Sequence, residues 1–232
     1  MKACDSRQYR HIVFFTGAGM SAESGIPTYR GRGGIWSRYR WEEFACEAAF
    51  EADPEKVLKF HELRRASILA CSPHAGHAAM AEWERNHPSV TVVTQNIDGM
   101  HQRAGSRNVM ELHGSIWRLR CPDHGLFEDI GEAYRRRRCE KCGGWLRPDI
   151  TWFGDALDEG RVNSALEAIR GCDLFVSIGT SGVVYPAAGL PRFAKANHAR
   201  CIEINPEENE MSPLYDESIR DTASRALPKL FG

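Results

Sequence analysis

The sequence predicts an α/β protein: a Rossmann-like, doubly wound and largely parallel sheet, carrying a smaller helical plus zinc-binding lobe formed by two insertions. Short runs rich in β-branched and aromatic residues, of buried-strand composition, alternate with stretches of helical spacing. Two of those runs break directly into glycine-rich turns, after Phe15 and after Ile178. Two stretches interrupt the alternation, about 31–72 with helix-like apolar spacing and about 115–147 with close pairs of cysteine and histidine. The sheet-bearing part then comprises about 1–30, 73–114 and 148–232 of one domain.

At 232 residues, 42% hydrophobic and 26% charged, the chain has room for a sizeable core as one domain with insertions. Its net charge of -1 gives no basic excess for binding nucleic acid. The single charge run, Arg135 to Arg138, reads as a solvated loop. Met1 to Arg10 is polar and the first apolar run is short, so no leader is expected, and no segment has the roughly 20 apolar residues of a membrane span. Five of the eight cysteines, Cys4, Cys46, Cys71, Cys172 and Cys201, stand singly, which suits a reducing cytoplasm better than a disulfide framework.

Taken in order, Ile12 to Phe15 is a buried strand that breaks at Thr16 into Gly17-Ala18-Gly19, and a brief helix from Met20 is stopped by Pro27. Glycines at a strand-to-helix turn allow close approach to a phosphate, although Gly17, Gly19 and Gly25 depart from G-x-G-x-x-G spacing. A tight turn without a ligand is the alternative. Arg30 to Trp36 is a polar loop in which Arg30 suits a pyrophosphate or a pocket carboxylate. Trp41 to Cys71 is helical, with Asp53-Pro54 a good helix start, Asp as cap and Pro in the first position. A second helical stretch, His74 to Asn86, leads to the strand Val90 to Thr94.

Gln95-Asn96-Ile97-Asp98 follows at that strand's carboxyl end, where open parallel sheets keep their ligand crevices. Its polar groups suit a carboxamide, and a plain turn with Asp98 as helix cap is the alternative. Val109 to Leu112 is the next strand, ended by His113-Gly114. Histidine titrates near neutrality and serves well as a general base, and the strand-end position singles out His113 from the nine histidines. Cys121 and His124, then Cys139 and Cys142, form C-x2-H and C-x2-C pairs that suit one structural zinc. Asp123 is an alternative fourth donor, and a lobe held without metal is the other reading. Asp149 to Phe153 resumes the strand pattern, Val162 to Ile169 is helical, and Leu174 to Ile178 is a strand before Gly179-Thr180-Ser181-Gly182. Cys201 to Ile204 is the last clear strand, ending in Asn205-Pro206-Glu207.

The stretch from Gly17 to Trp36, with Thr94 to Asp98, Glu111-Leu112-His113-Gly114, Trp152-Phe153-Gly154-Asp155 and Gly179-Thr180-Ser181 in that order, resembles the sirtuins, the NAD-dependent protein-lysine deacylases. The resemblance spans about Val13 to Leu227. It implies NAD as co-substrate and a mechanism with His113 as base, helped by Asn96 and Asp98 at the nicotinamide pocket. It implies NAD contacts from Gly17, Ala18, Gly19, Ser21, Ala22, Thr28, Tyr29, Arg30 and Trp36. Further contacts would come from Gln95, Asn96, Ile97, Asp98, Gly179, Thr180 and Ser181, and, toward the adenosine end, from Asn205, Pro206, Glu207 and Ala223. Acylated-lysine proteins would be the partners, their peptide an added strand between Trp152–Asp155 and Gly182–Tyr185, with Trp152, Phe153, Gly154 and Val183 touching it. Sirtuins typically present two C-x2-C pairs, so His124 is a departure.

One sirtuin subgroup reads acidic acyl groups with Tyr-x-x-Arg. Here Arg64 matches the Arg, His61 stands at the Tyr position, and Thr28 also resembles that subgroup. Three residues apart, His61 and Arg64 share a helix face. The resemblance therefore implies removal of succinyl, malonyl or glutaryl groups beside acetyl. His61 is expected to titrate near neutrality, so the preference for acidic acyl groups should grow as the pH falls from about 8 to about 6. Three other classes fit parts of the pattern: a mono-ADP-ribosyltransferase, a hydride-transferring dehydrogenase, and a non-catalytic zinc-bearing module.

Overall fold

The computed structural model describes residues 8–31 and 33–230. Cys4, most of the polar N-terminal segment and Arg32 lie outside the described residues. In chain order the first part runs β1 (Ile12–Thr16), α1 (Gly19–Ala22), α2 (Trp41–Phe44), α3 (Glu47–Ala52), α4 (Pro54–Leu69), α5 (Ala75–Asn86), β2 (Val90–Thr94), α6 (Met100–Arg103) and β3 (Val109–Glu111). The second part runs β4 (Gly114–Cys121), β5 (Gly125–Glu128), β6 (Arg147–Ile150), α7 (Glu159–Arg170), β7 (Leu174–Ile178), α8 (Leu190–Ala196), β8 (Arg200–Ile204), β9 (Glu217–Ile219) and α9 (Ala223–Leu230).

Six strands form one parallel sheet in the order β3-β2-β1-β7-β8-β9. Every residue of β1 and of β7 is buried, because helices cover both faces of a parallel sheet. Alternate residues separate into two cores. Ile12, Phe14, Val92, Val176 and Ile202 pack with Met80 of α5 and Leu227 of α9. Val13, Phe15, Val93, Phe175 and Cys201 pack with Ile169 of α7 and Ala194 of α8. The strand order reverses between β1 and β7, the switch point where a doubly wound sheet opens a crevice.

The smaller lobe joins α2, α3 and α4 to an antiparallel sheet, β5-β4-β6. Val57, Leu58 and Ile68 of α4 share a core with Ile116, Leu119, Leu146 and Trp152. Asp53 caps α4 through its Oδ1, which accepts from the Lys56 N–H at 3.0 Å, with Pro54 in the first position, as the sequence predicts.

Two expectations are corrected. The helix after the first glycine turn covers only Gly19–Ala22, because turns occupy the residues between it and Pro27. The strand expected over Asp149 to Phe153 is Arg147–Ile150, and it pairs with β4 in the small sheet. Ile150 and Trp152 pack in one core with Val57, Leu58 and Ile68 of α4 and with Ile97 and Met100 beside β2. In the Arg135–Arg138 loop, Arg137 is anchored to Glu62 by two hydrogen bonds of 3.0 and 2.9 Å.

Candidate active site and metal centre

At the switch point the two glycine turns touch. The Gly17 N–H donates to the Ile178 carbonyl at 3.0 Å and the Gly19 N–H to the Gly179 carbonyl at 2.9 Å. A Cβ on Gly17 would lie 2.8 Å from the Gly179 oxygen, so neither turn could approach the other with a side chain there. This pairing sets the floor of a cavity of about 600 Å³ between the sheet's carboxyl ends and the small lobe. The cavity runs from the end of β3 to the end of β8, four strand spacings or about 19 Å.

Most of the predicted contacts line this cavity: Gly17, Ala18 and Gly19 on the first turn, Thr28, Tyr29, Arg30 and Trp36 on the loop after it. Gln95, Asn96, Ile97 and His113 line it from β2 and β3, and Gly179, Thr180, Ser181, Asn205 and Glu207 from β7 and β8. His61, Arg64, Trp152, Phe153, Gly154 and Val183 complete the small-lobe and loop side. Ser21 and Asp98 line a narrow adjoining recess shared with Ala18, Tyr29 and Arg64. Ala22, Pro206 and Ala223 line neither space; Ala22 and Pro206 are exposed, and Ala223 is buried at the start of α9. The sequence reading missed Asn209, Glu208 and Leu157, which line the cavity from irregular segments without motif character.

His113 is oriented by its neighbours. Its Nδ1 lies 2.9 Å from the Gln95 carbonyl oxygen, which can only accept, so Nδ1 carries the proton and Nε2 keeps its lone pair. Burial, partly offset by that hydrogen bond, lowers its pKa below the ordinary 6.5, so the ring is neutral at pH 7. Asn96 donates from Nδ2 to the Gly17 carbonyl at 2.9 Å and to Ser21 Oγ at 3.2 Å, tying the second strand end to the first turn. Asp98, just ahead of the Gly99 cap of α6, accepts from the Met100 N–H at 2.9 Å. Burial raises its carboxyl pKa, against the pull of the Met100 N–H, Ser21 and the Arg64 and Arg103 charges.

On α4, Arg64 donates to the Tyr29 hydroxyl at 2.9 Å, with its guanidinium 5.1 Å from the Tyr29 ring centre. It is half-buried beside the cavity and not an exposed helix arginine. His61 is only 1% exposed and stacks on Trp152 at 5.9 Å. Neither ring nitrogen has a hydrogen-bond partner. Burial, reinforced by the Arg64 and Arg147 charges, pushes its pKa well below 6.5. The expectation that His61 titrates near neutrality is therefore overturned, and its predicted pH effect with it.

In the small lobe, the donor atoms of Cys121, His124, Cys139 and Cys142 all lie within 4.8 Å of one another. His124 Nδ1 is 3.5 Å from both Cys121 Sγ and Cys139 Sγ, and Cys121 Sγ is 3.6 Å from Cys142 Sγ. Donors about 2.3 Å (sulfur) and 2.0 Å (nitrogen) from a tetrahedral zinc are separated by about 3.5–3.8 Å, so these residues fit the ion. The Cys142 and Lys141 backbone N–H groups hold the Cys139 thiol down to about 7, which favours the ligating thiolate. With four protein donors the ion would have a structural role. Among the described residues no other metal-holding group was found, and no helix is long and apolar enough to cross a membrane.

Comparison with known proteins agrees with this geometry. The Sir2 family model matches residues 17–186. An NAD-dependent protein deacylase 2 of Pyrobaculum aerophilum is 48% identical over 95% of this chain and 90% of that protein. An NAD-dependent protein deacylase of Aquifex aeolicus is 43% identical over 95% of this chain and 94% of its own length. Among solved structures, a Sir2 homologue–NAD complex superposes with a TM-score of 0.88 at 42% identity, covering 97% of this chain and 89% of that one. Family match, identity and fold concur over nearly the whole length, and the chain belongs to the Sir2 family, the sirtuins.

Proposed function

We propose that this protein is an NAD-dependent protein-lysine deacylase, acting on acetyl-lysine and on acidic acyl-lysines such as succinyl-, malonyl- and glutaryl-lysine. The observation that carries the reading is His113, a neutral and oriented imidazole, in one cavity with the paired glycine turns. The relatives named above are called NAD-dependent protein deacylases, which supports the general class of activity.

The cavity fits a dinucleotide in length and lining. The glycine turns and Arg30 would hold the pyrophosphate. Asn96 has its amide nitrogen committed to Gly17 and Ser21, which leaves its carbonyl oxygen to accept from a carboxamide, with Asp98 beside it. Asn205 and the Gly179–Ser181 turn would take the adenosine end. NAD, when bound, would supply the electrophilic ribose carbon; acyl-lysine, NAD and one water would give free lysine, nicotinamide and O-acyl-ADP-ribose. The chain's own contribution is His113 Nε2, which removes a proton from a ribose hydroxyl, and a walled cavity that keeps water from a developing positive charge. The substrate backbone would add as a strand between Trp152–Asp155 and Gly182–Tyr185.

Arg64 would receive a distal carboxylate on the acyl group, since a charge-assisted fork is typically stronger than a neutral hydrogen bond. His61, buried and neutral, would add one hydrogen bond from an otherwise unpartnered nitrogen. The thiolate set of the metal centre suits a reducing compartment, and we place the protein in the cytoplasm. The test is purified protein with NAD and acetyl-, succinyl- and glutaryl-lysine peptides, read by mass. Deacylated peptide with an equal amount of O-acyl-ADP-ribose is expected. Nicotinamide release with ADP-ribose appearing on protein side chains would instead mark an ADP-ribosyltransferase.

A further inference from the structure

Glu203 is a buried carboxylate in the middle of β8, 2% exposed, and it lines no part of the cavity. A carboxylate in an apolar core is costly unless it is fully hydrogen-bonded. Here four side chains converge on it. Asn209 donates from Nδ2 to Oε1 at 2.9 Å. Oε2 accepts from Ser212 Oγ at 2.7 Å, Ser218 Oγ at 3.2 Å and the Arg220 guanidinium at 2.6 Å. Each donor comes from the chain after β8: Asn209 and Ser212 from the connection to β9, Ser218 from β9 itself and Arg220 from just past it.

The connection forms a wall of the cavity. Asn209 also reaches the Thr180 carbonyl oxygen from Nδ2 at 3.3 Å, and Asn205 Nδ2 donates to the same oxygen at 2.9 Å. Both asparagines line the cavity. With the Thr180 oxygen held by the loop, peptide planarity turns the following Ser181 N–H away from the loop. A Cβ on Gly182, whose φ is +72°, would lie 2.7 Å from Met211 Cγ, so turn and loop are pressed together without slack.

We propose that Glu203 is a positioning residue for the ribose–adenine half of NAD. It acts through Asn209 and Ser212 to set Asn205 and the Thr180–Ser181 peptide in their binding arrangement. This rests on the reading of the cavity as an NAD site.

The test titrates ADP-ribose by calorimetry into wild type, Glu203→Gln, Arg220→Met and Ser212→Ala, well below each melting temperature, alongside steady-state kinetics with NAD and acetyl-lysine peptide. Glu203→Gln is expected to weaken ADP-ribose binding and raise KM for NAD about tenfold or more, since it places a donor among donors to a charged group. KM for the peptide and kcat should stay within about twofold. Arg220→Met and Ser212→Ala should follow with smaller losses of about two- to fivefold. Lowered melting temperatures with unchanged ADP-ribose affinity would make Glu203 purely structural and overturn the proposal. Should Glu203→Gln fail to fold, unchanged affinity in the other two variants overturns it equally. A wild type that binds no ADP-ribose would overturn the NAD reading itself, and the proposal with it.

Discussion

His113 and His61 line the same cavity, one at the end of β3 and the other on α4, and the two lobes treat them differently. The sheet fixes His113 through one backbone carbonyl, which sets its tautomer and leaves a lone pair for proton transfer. The helical lobe seals His61 against Trp152 with both nitrogens unpartnered, which keeps it uncharged without orienting it by a hydrogen bond. The same difference runs through the lobes at large. The sheet holds its strand ends by continuous parallel backbone pairing, whereas in the small lobe the helices and the antiparallel sheet, from two distant insertions, are stitched together by side chains. Arg65, wholly buried, pairs with Asp129 at 2.8 Å, Glu62 holds Arg137, and four donors gather at the metal centre. On the proposed reading, chemistry rests on the part defined by the backbone, and selectivity on the part defined by side chains.

Removing the metal should separate the lobes most strongly. Purified protein is expected to carry about one zinc per chain, and chelation should abolish deacylation, because structural zinc contributes on the order of 10 kcal/mol to its fold. The parallel sheet should survive, so hydrogen exchange should rise over residues 115–147 while β1 and β7 stay protected. Active protein without zinc would contradict this.

Selectivity should break at Arg64 with the chemistry left standing. Arg64→Met is expected to slow desuccinylation about tenfold or more relative to deacetylation, the cost of a lost charge-assisted pair. Equal slowing of both substrates would mean that the cavity has no carboxylate reader. Because His61 is held neutral, the ratio of the two activities should not change between about pH 6 and pH 8 on its account.

A smaller effect sharpens the comparison from behind the sheet. His77 and His101, packed together at 5.1 Å, are pushed by burial to about 2 and about 3. The unfolded chain binds these protons near pH 6.5 and the folded chain does not. Stability is thus complete above about pH 6.5 and falls as the pH drops toward the folded values, by about 1.4 kcal/mol per pH unit for each ring. Melting temperatures of His77→Gln against wild type, measured between pH 6.5 and 5, should show a shallower decline in the variant. Parallel curves would remove His77 from this role.

How much was legible in the sequence follows the same division. β2 and β7 match their predicted limits to the residue, because apolar runs buried on both faces and bounded by glycine or polar turns need no distant partner to be recognised. The site residues on those strand ends came with them. The small lobe was harder. β6 contains Pro148 and Asp149 and exists as a strand only because β4 pairs with it. β9 has three residues and depends on β8. The depth of His61 follows from Trp152, 91 residues away in the chain, and no local pattern announces it. Asn209 and Glu203 share that character, since their roles arise from a loop folding back on a strand end.

The central assignment, chemistry at the sheet end, is tested most directly by His113→Ala assayed for deacylation and for ADP-ribose binding on the same sample. A general base typically contributes 100-fold or more, so turnover should fall by at least that factor while ADP-ribose affinity and melting temperature stay close to wild type. A folded variant that keeps more than about a tenth of wild-type turnover would contradict the assignment of His113 as the base.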